Sequence, residues 1–102
     1  MRLQIYQKNF ELSEEQTTYI QKRIMKPFDT FLESLNDEIK TGRLSVSGHD
    51  DGSITMSLAM HLPGKHHFYV ESTKYDFNGV VADLKDKIKN QIAHYRSEHK
   101  NR

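Results

Sequence analysis

The chain has no cysteine and no tryptophan. Without cysteine there is no disulfide framework, no thiol nucleophile and no thiolate metal site. A reducing compartment is the expectation, and bacterial cytoplasm fits it. No apolar run approaches the roughly 18 residues that a membrane helix needs, and no secretory signal opens the chain. The five glycines are isolated, so no phosphate-cradling loop is present. No nucleophile-elbow motif gathers the serine, histidine and aspartate residues into a catalytic set. Internal repeats, low-complexity tracts and linkers are absent as well. An enzyme is therefore not expected, nor is a cofactor or a small-molecule substrate.

What remains is a chain of 102 residues, 35% hydrophobic and 28% charged, which suits one domain with a small core. The expected domain covers residues 1–102, with 97–102 frayed and no C-terminal dimerisation domain. The formal net charge is only +1, but residues 85–102 hold six lysines and arginines against two acids, whereas residues 1–84 hold nine against twelve. Such asymmetry points to a polyanion partner at one end. A helix C-terminus collecting cations to suit its dipole would produce it too.

Leu3 and Ile5 alternate within residues 2–8 and predict a short strand. Ser13 and Gln16 form a capping box at the start of a helix, with Glu14 and Glu15 where the dipole favours anions. Ile20, Ile24, Phe28, Phe31 and Leu35 give that helix one apolar stripe. Pro27 predicts a kink or break near Met25–Pro27, with a second short helix at 28–35.

Three strands follow. Leu44 and Val46 share a face, Ile54 to Leu62 alternate strictly, and Phe68, Val70 and Ser72 continue the pattern. Keeping these residues on one face requires three-residue loops at Asp50-Asp51-Gly52 and Pro63-Gly64-Lys65. Those loops pair Val46 with Met56, Leu44 with Leu58, Met60 with Phe68 and Leu58 with Val70. The other face would carry Ser45, Ser47, Thr55, Ser57, His61 and Glu71, so both helices must cover the first.

The last segment, Asp76 to Lys100, places Phe77, Val81, Leu84, Ile88, Ile92 and Tyr95 at helical spacing. Lys85, Lys89, Arg96 and Lys100 fall along one flank of that face. Asp83, Asp86, Asn90 and Ser97 fall on the opposite flank and outer face. The predicted fold is α+β: a β-α-β-β-β-α two-layer sandwich, similar to a double-stranded-RNA-binding domain, with a four-stranded sheet and two helices on one face.

Lys22, Arg23 and Lys26 form a second basic cluster ahead of Pro27. His61 faces His67 on the exposed sheet face, but zinc usually takes three or four ligands, and no metal site is expected. Tyr69 is turned outward by parity.

In order and spacing the chain resembles the short ribosome hibernation promoting factors, also described as ribosome-associated translation inhibitors. Gln7-Lys8-Asn9-Phe10-Glu11-Leu12-Ser13 matches the family's loop and helix start. Lys22-Arg23 matches a basic pair in its first helix, Pro63-Gly64 its last hairpin, and Asp76 with Lys87-Ile88-Lys89-Asn90-Gln91-Ile92 its final helix. The likeness spans nearly the whole chain. Asn90 stands where the family has arginine, Ala93-His94-Tyr95-Arg96 thins a basic stretch, and Asn78-Gly79-Val80 replaces an aromatic-alanine-alanine opening.

The resemblance implies a non-enzymatic stress and stationary-phase factor on the small ribosomal subunit. It would fill the messenger and transfer RNA channel and contact ribosomal RNA through its helices, with no role at a membrane. The candidate RNA-binding residues are Lys8, Lys22, Arg23, Lys26, Lys85, Lys87, Lys89, Arg96 and Lys100. Two other readings compete: a general structured-RNA-binding module, and a small protein-interaction domain using its open sheet face.

Overall fold

The computed structural model describes residues 2–26, 28, 41–62 and 66–100; at residues 2, 3, 41, 61, 62, 66 and 96–100 it describes the backbone alone. Strand β1 (Arg2–Lys8) leads to helix α1 (Glu14–Ile20), which continues into a π-helical turn at Gln21–Met25. Strands β2 (Thr41–Gly48), β3 (Ile54–Leu62) and β4 (His66–Lys74) follow, then helix α2 (Phe77–Lys100). The sheet order is β1-β2-β3-β4, with β1 parallel to β2 and the remaining pairs antiparallel. This is the predicted four-stranded α+β architecture.

The register is the one that side-chain parity requires. Val46 faces Met56 and Leu44 faces Leu58. Met60 faces Phe68 and Leu58 faces Val70. Gly52 adopts φ 90° in the first hairpin turn, a conformation with little penalty for glycine. Asp51 accepts hydrogen bonds there from the Ser53 N–H (2.9 Å) and hydroxyl (2.6 Å), and these lower its pKa. The second hairpin loop, 63–65, lies outside the described residues.

The core lies between the sheet and the helices. Leu44, Val46, Met56 and Leu58 from the central strands meet Ile20, Ile24 and Phe28 from the first helical segment and Val80, Val81, Leu84 and Ile88 from α2. Phe28 packs against Phe68 with ring centroids 5.3 Å apart. Phe10 stacks on Phe77 at 6.2 Å, tying the β1–α1 loop to the start of α2. Phe31 and Leu35, and the expected helix at 28–35, lie outside the described residues.

Two local features go beyond the sequence reading, and Pro27 itself lies outside the described residues. Ahead of Pro27 the chain widens into a π turn, closed by the Lys26 N–H donating to the Gln21 carbonyl. Proline brings no N–H and crowds the carbonyl four residues back, and a widened turn is one way for a helix to approach it. Asn9 takes φ 54°, which asparagine tolerates better than most residues. At Gly48 an added Cβ would lie 2.3 Å from the Asn9 carbonyl oxygen. Glycine is required there by the close approach of two backbones.

Helix α2 is capped by Asp76, whose carboxylate accepts the Gly79 N–H at 2.8 Å. A Cβ on Gly79 would lie 2.6 Å from that carboxylate, so the glycine lets the cap sit close. The α2 backbone is helical to Lys100, and residues 101–102 lie outside the described residues.

Candidate nucleic-acid interface

The π turn and α2 lie side by side over the sheet, and a shallow cleft opens between them. Tyr19, Arg23, Val81, Ala82, Lys85 and Asp86 line it. Its geometry starts at the Ser13–Gln16 capping box. The Gln16 N–H donates to the Ser13 hydroxyl at 3.1 Å, and the Ser13 N–H donates to the Gln16 side chain at 3.0 Å. That reciprocal cap fixes where α1 begins, and so which way Tyr19 and Arg23 face. Tyr19 packs against Phe77, and the Arg23 guanidinium lies over the Tyr19 ring, 5.5 Å from its centroid. The arginine is thereby held at the cleft by a cation–π contact.

Lys85 meets Arg23 from the other wall, and Lys89 follows one turn along α2. Lys22, Arg23, Lys26 and Lys89 are exposed and Lys85 is half-buried. Among the described residues, no carboxylate lies within salt-bridge distance of Lys22, Arg23, Lys85 or Lys89. One cation from each helical segment, Arg23 and Lys85, thus lines the same cleft.

The charge sorting along α2 is less complete than the sequence reading has it. Asp86 lines the same cleft as Arg23 and Lys85. Adjacent helical residues are only about 100° apart, and a cleft wide enough to take in Lys85 takes in its neighbour.

Lys87 belongs elsewhere. Its Nζ donates to the Glu71 carbonyl of β4 at 2.7 Å and pairs with Asp83 at 3.3 Å. Asp83 in turn accepts the hydroxyl of buried Ser72. That hydroxyl first, and then Lys87, hold the Asp83 carboxyl below the usual carboxylate range. Lys8 also stands apart. It ends β1 opposite Ser47, on the sheet face away from the helices. Arg96 and Lys100 continue the Lys85 flank of the α2 backbone, and their side chains lie outside the described residues.

Sequence reasoning did not bring Tyr19 or Asp86 to the cleft, and it did not join Ser72, Asp83 and Lys87 into one chain of contacts. Tyr19 lies four residues before Arg23, a spacing at which helical side chains meet, and that signal was available. The other two depend on how far apart the layers pack. His61 and His67 are register partners, as parity predicts. Among the described residues, no group of three histidines or acids could hold a metal, and no helix is long and apolar enough to cross a membrane.

This fold recurs among solved structures. A ribosomal subunit interface protein from Coxiella burnetii superposes with a TM-score of 0.76 at 16% identity, over 95% of this chain and 99% of that one. The N-terminal domain of Thermus thermophilus Protein Y superposes with a TM-score of 0.72 at 16% identity, over 94% and 100%. No curated protein matches the sequence. The family model described as sigma 54 modulation protein / S30EA ribosomal protein matches residues 3–100. With nearly its whole length matched, and with the mixed sheet and paired helices of those two structures, the chain belongs to the sigma 54 modulation protein / S30EA ribosomal protein family.

Proposed function

We propose that this protein is a ribosome-associated factor that binds the small subunit through the basic sides of its two helical segments and, lying in the messenger and transfer RNA channel, holds idle ribosomes out of translation. The observation that carries this reading is that Arg23 and Lys85 line one cleft between the two helical segments, with Lys89 one turn along α2 from Lys85 and Lys22 and Lys26 exposed near Arg23 in sequence. Such a set suits the closely spaced phosphates of folded RNA. Charge supplies most of the affinity there, and sequence readout is slight. Family membership and the description of one structural neighbour as a ribosomal subunit interface protein support the same partner. The protein acts by occupying space, without catalysis, in the cytoplasm where ribosomes work.

Pelleting with isolated subunits tests it. The protein should sediment with small subunits at low salt, be released as salt rises, and be displaced by messenger and transfer RNA. Recovery in the supernatant, or pelleting with large subunits alone, contradicts the proposal.

A further inference from the structure

The sheet face turned away from the helices has an organisation of its own. Its middle is low. Ser45 and Ser57 are register partners across β2 and β3, and Arg43 and Ala59 pair one step along. A tyrosine stands on each outer strand, Tyr6 on β1 and Tyr69 on β4. They are 48% and 45% exposed, unusual for rings that a core would otherwise claim. Three strand spacings separate them, about 14 Å.

Both rings lie along their strands. The Tyr6 hydroxyl donates to Gln4, two residues back, at 3.3 Å, and the Tyr69 hydroxyl donates to Glu71, two residues on, at 2.7 Å. A ring tethered in this way offers a face to the solvent. The Arg43 guanidinium covers Tyr6, 5.0 Å from its centroid, and is itself a planar, cationic stacking surface. The Glu71 hydrogen bond raises the pKa of Tyr69. Around these platforms lie Lys8 and Arg43 and, among the described residues of the face, one carboxylate, Glu71, which is engaged by Tyr69. Among the described residues, the face is polar apart from the two rings and Ala59, without the continuous apolar patch that a protein partner would cover.

We propose that this open face is a second RNA site, which takes single-stranded RNA by stacking bases on the Arg43–Tyr6 pair and on Tyr69. Stacking on aromatic rings and guanidinium planes above a sheet is a recurrent way to hold unpaired bases, and it tolerates any sequence because every base has a π face. A folded RNA held on the helices and an unpaired strand held on the sheet would occupy opposite sides of one small domain.

The test is fluorescence anisotropy with 5′-fluorescein oligouridylate and oligoadenylate of about ten nucleotides, within the usual site size for such surfaces. The full chain should bind both. Tyr69→Ala and Arg43→Gln should each weaken binding about tenfold, whereas Tyr69→Phe, which keeps the ring but frees it and Glu71 from their hydrogen bond, should lose only about twofold. Thr18→Ala, an exposed position on α1 outside both basic sets, should change oligonucleotide affinity less than about twofold. Circular dichroism and melting temperature will establish that each variant is folded. Absence of oligonucleotide binding, affinity equal to the parent in folded Tyr69→Ala and Arg43→Gln, or an equal loss in Thr18→Ala, overturns the proposal.

Discussion

Lys85 and Lys87 are two residues apart on α2, which turns them about 200° from each other. Lys85 reaches a cleft that it shares with Arg23. Lys87 is spent on the fold: it closes the Glu71 carbonyl on the free edge of β4 and pairs with the carboxylate that Ser72 also holds. Covering an edge carbonyl with lysine also discourages another strand from pairing there. The two flanks of one helix thus separate charge that organises the molecule from charge left available to a partner. Counting lysines does not separate the two; asking what each Nζ touches does.

Reversing charge on the cleft flank should have the largest effect. Lys85→Glu with Lys89→Glu should weaken binding to small subunits about a hundredfold, near 3 kcal/mol. The thermal midpoint should stay within a few degrees, because neither lysine has a carboxylate partner among the described residues. Subunit titrations and a melting curve check both halves.

The β4 flank should behave in the opposite way. Asp83→Ala leaves the Ser72 hydroxyl, only 2% exposed, without its acceptor, and should lower stability by about 1–2 kcal/mol with subunit affinity unchanged. Urea unfolding read beside the binding titration separates the two outcomes.

A pH dependence sharpens the contrast. Because the folded-state pKa of Asp83 is depressed, the unfolded chain takes up the proton first as pH falls. The contribution is complete above about pH 4 and is lost as pH falls through the folded-state value. Unfolding midpoints measured below pH 5 should show a shallower acid decline in Asp83→Asn than in the parent. The smallest expected effect is at the cleft. Asp86→Asn removes its carboxylate and should strengthen subunit binding about twofold, measurable by competition between variant and parent.

The fold was legible to the extent that local rules determine it. Period-two alternation demands three-residue hairpin loops, and the register of Val46 with Met56 and Met60 with Phe68 follows from that alone. The capping box at Ser13–Gln16 and the left-handed Gly52 were legible for the same reason. Gly48 was not, because its requirement is the Asn9 carbonyl 39 residues earlier, brought near by a parallel pairing. The π turn before Pro27 was read as a kink or break, since proline declares a conflict with the helix and not its resolution.

At the candidate site, periodicity placed Lys85 and Lys89 on one flank of α2. It said nothing of Arg23 reaching Lys85, which depends on how the two helical segments pack. Nor did it reveal that Lys87 is near enough to β4 to donate to Glu71.

The most direct test of the division between the two flanks is the salt dependence of small-subunit binding for Lys85→Gln and Lys87→Gln, each against the parent. Each lost phosphate contact should reduce the slope of log affinity against log salt by about one. The account predicts that reduction for Lys85→Gln and an unchanged slope for Lys87→Gln. Equal slopes for the two variants, or a reduction in Lys87→Gln alone, would contradict it.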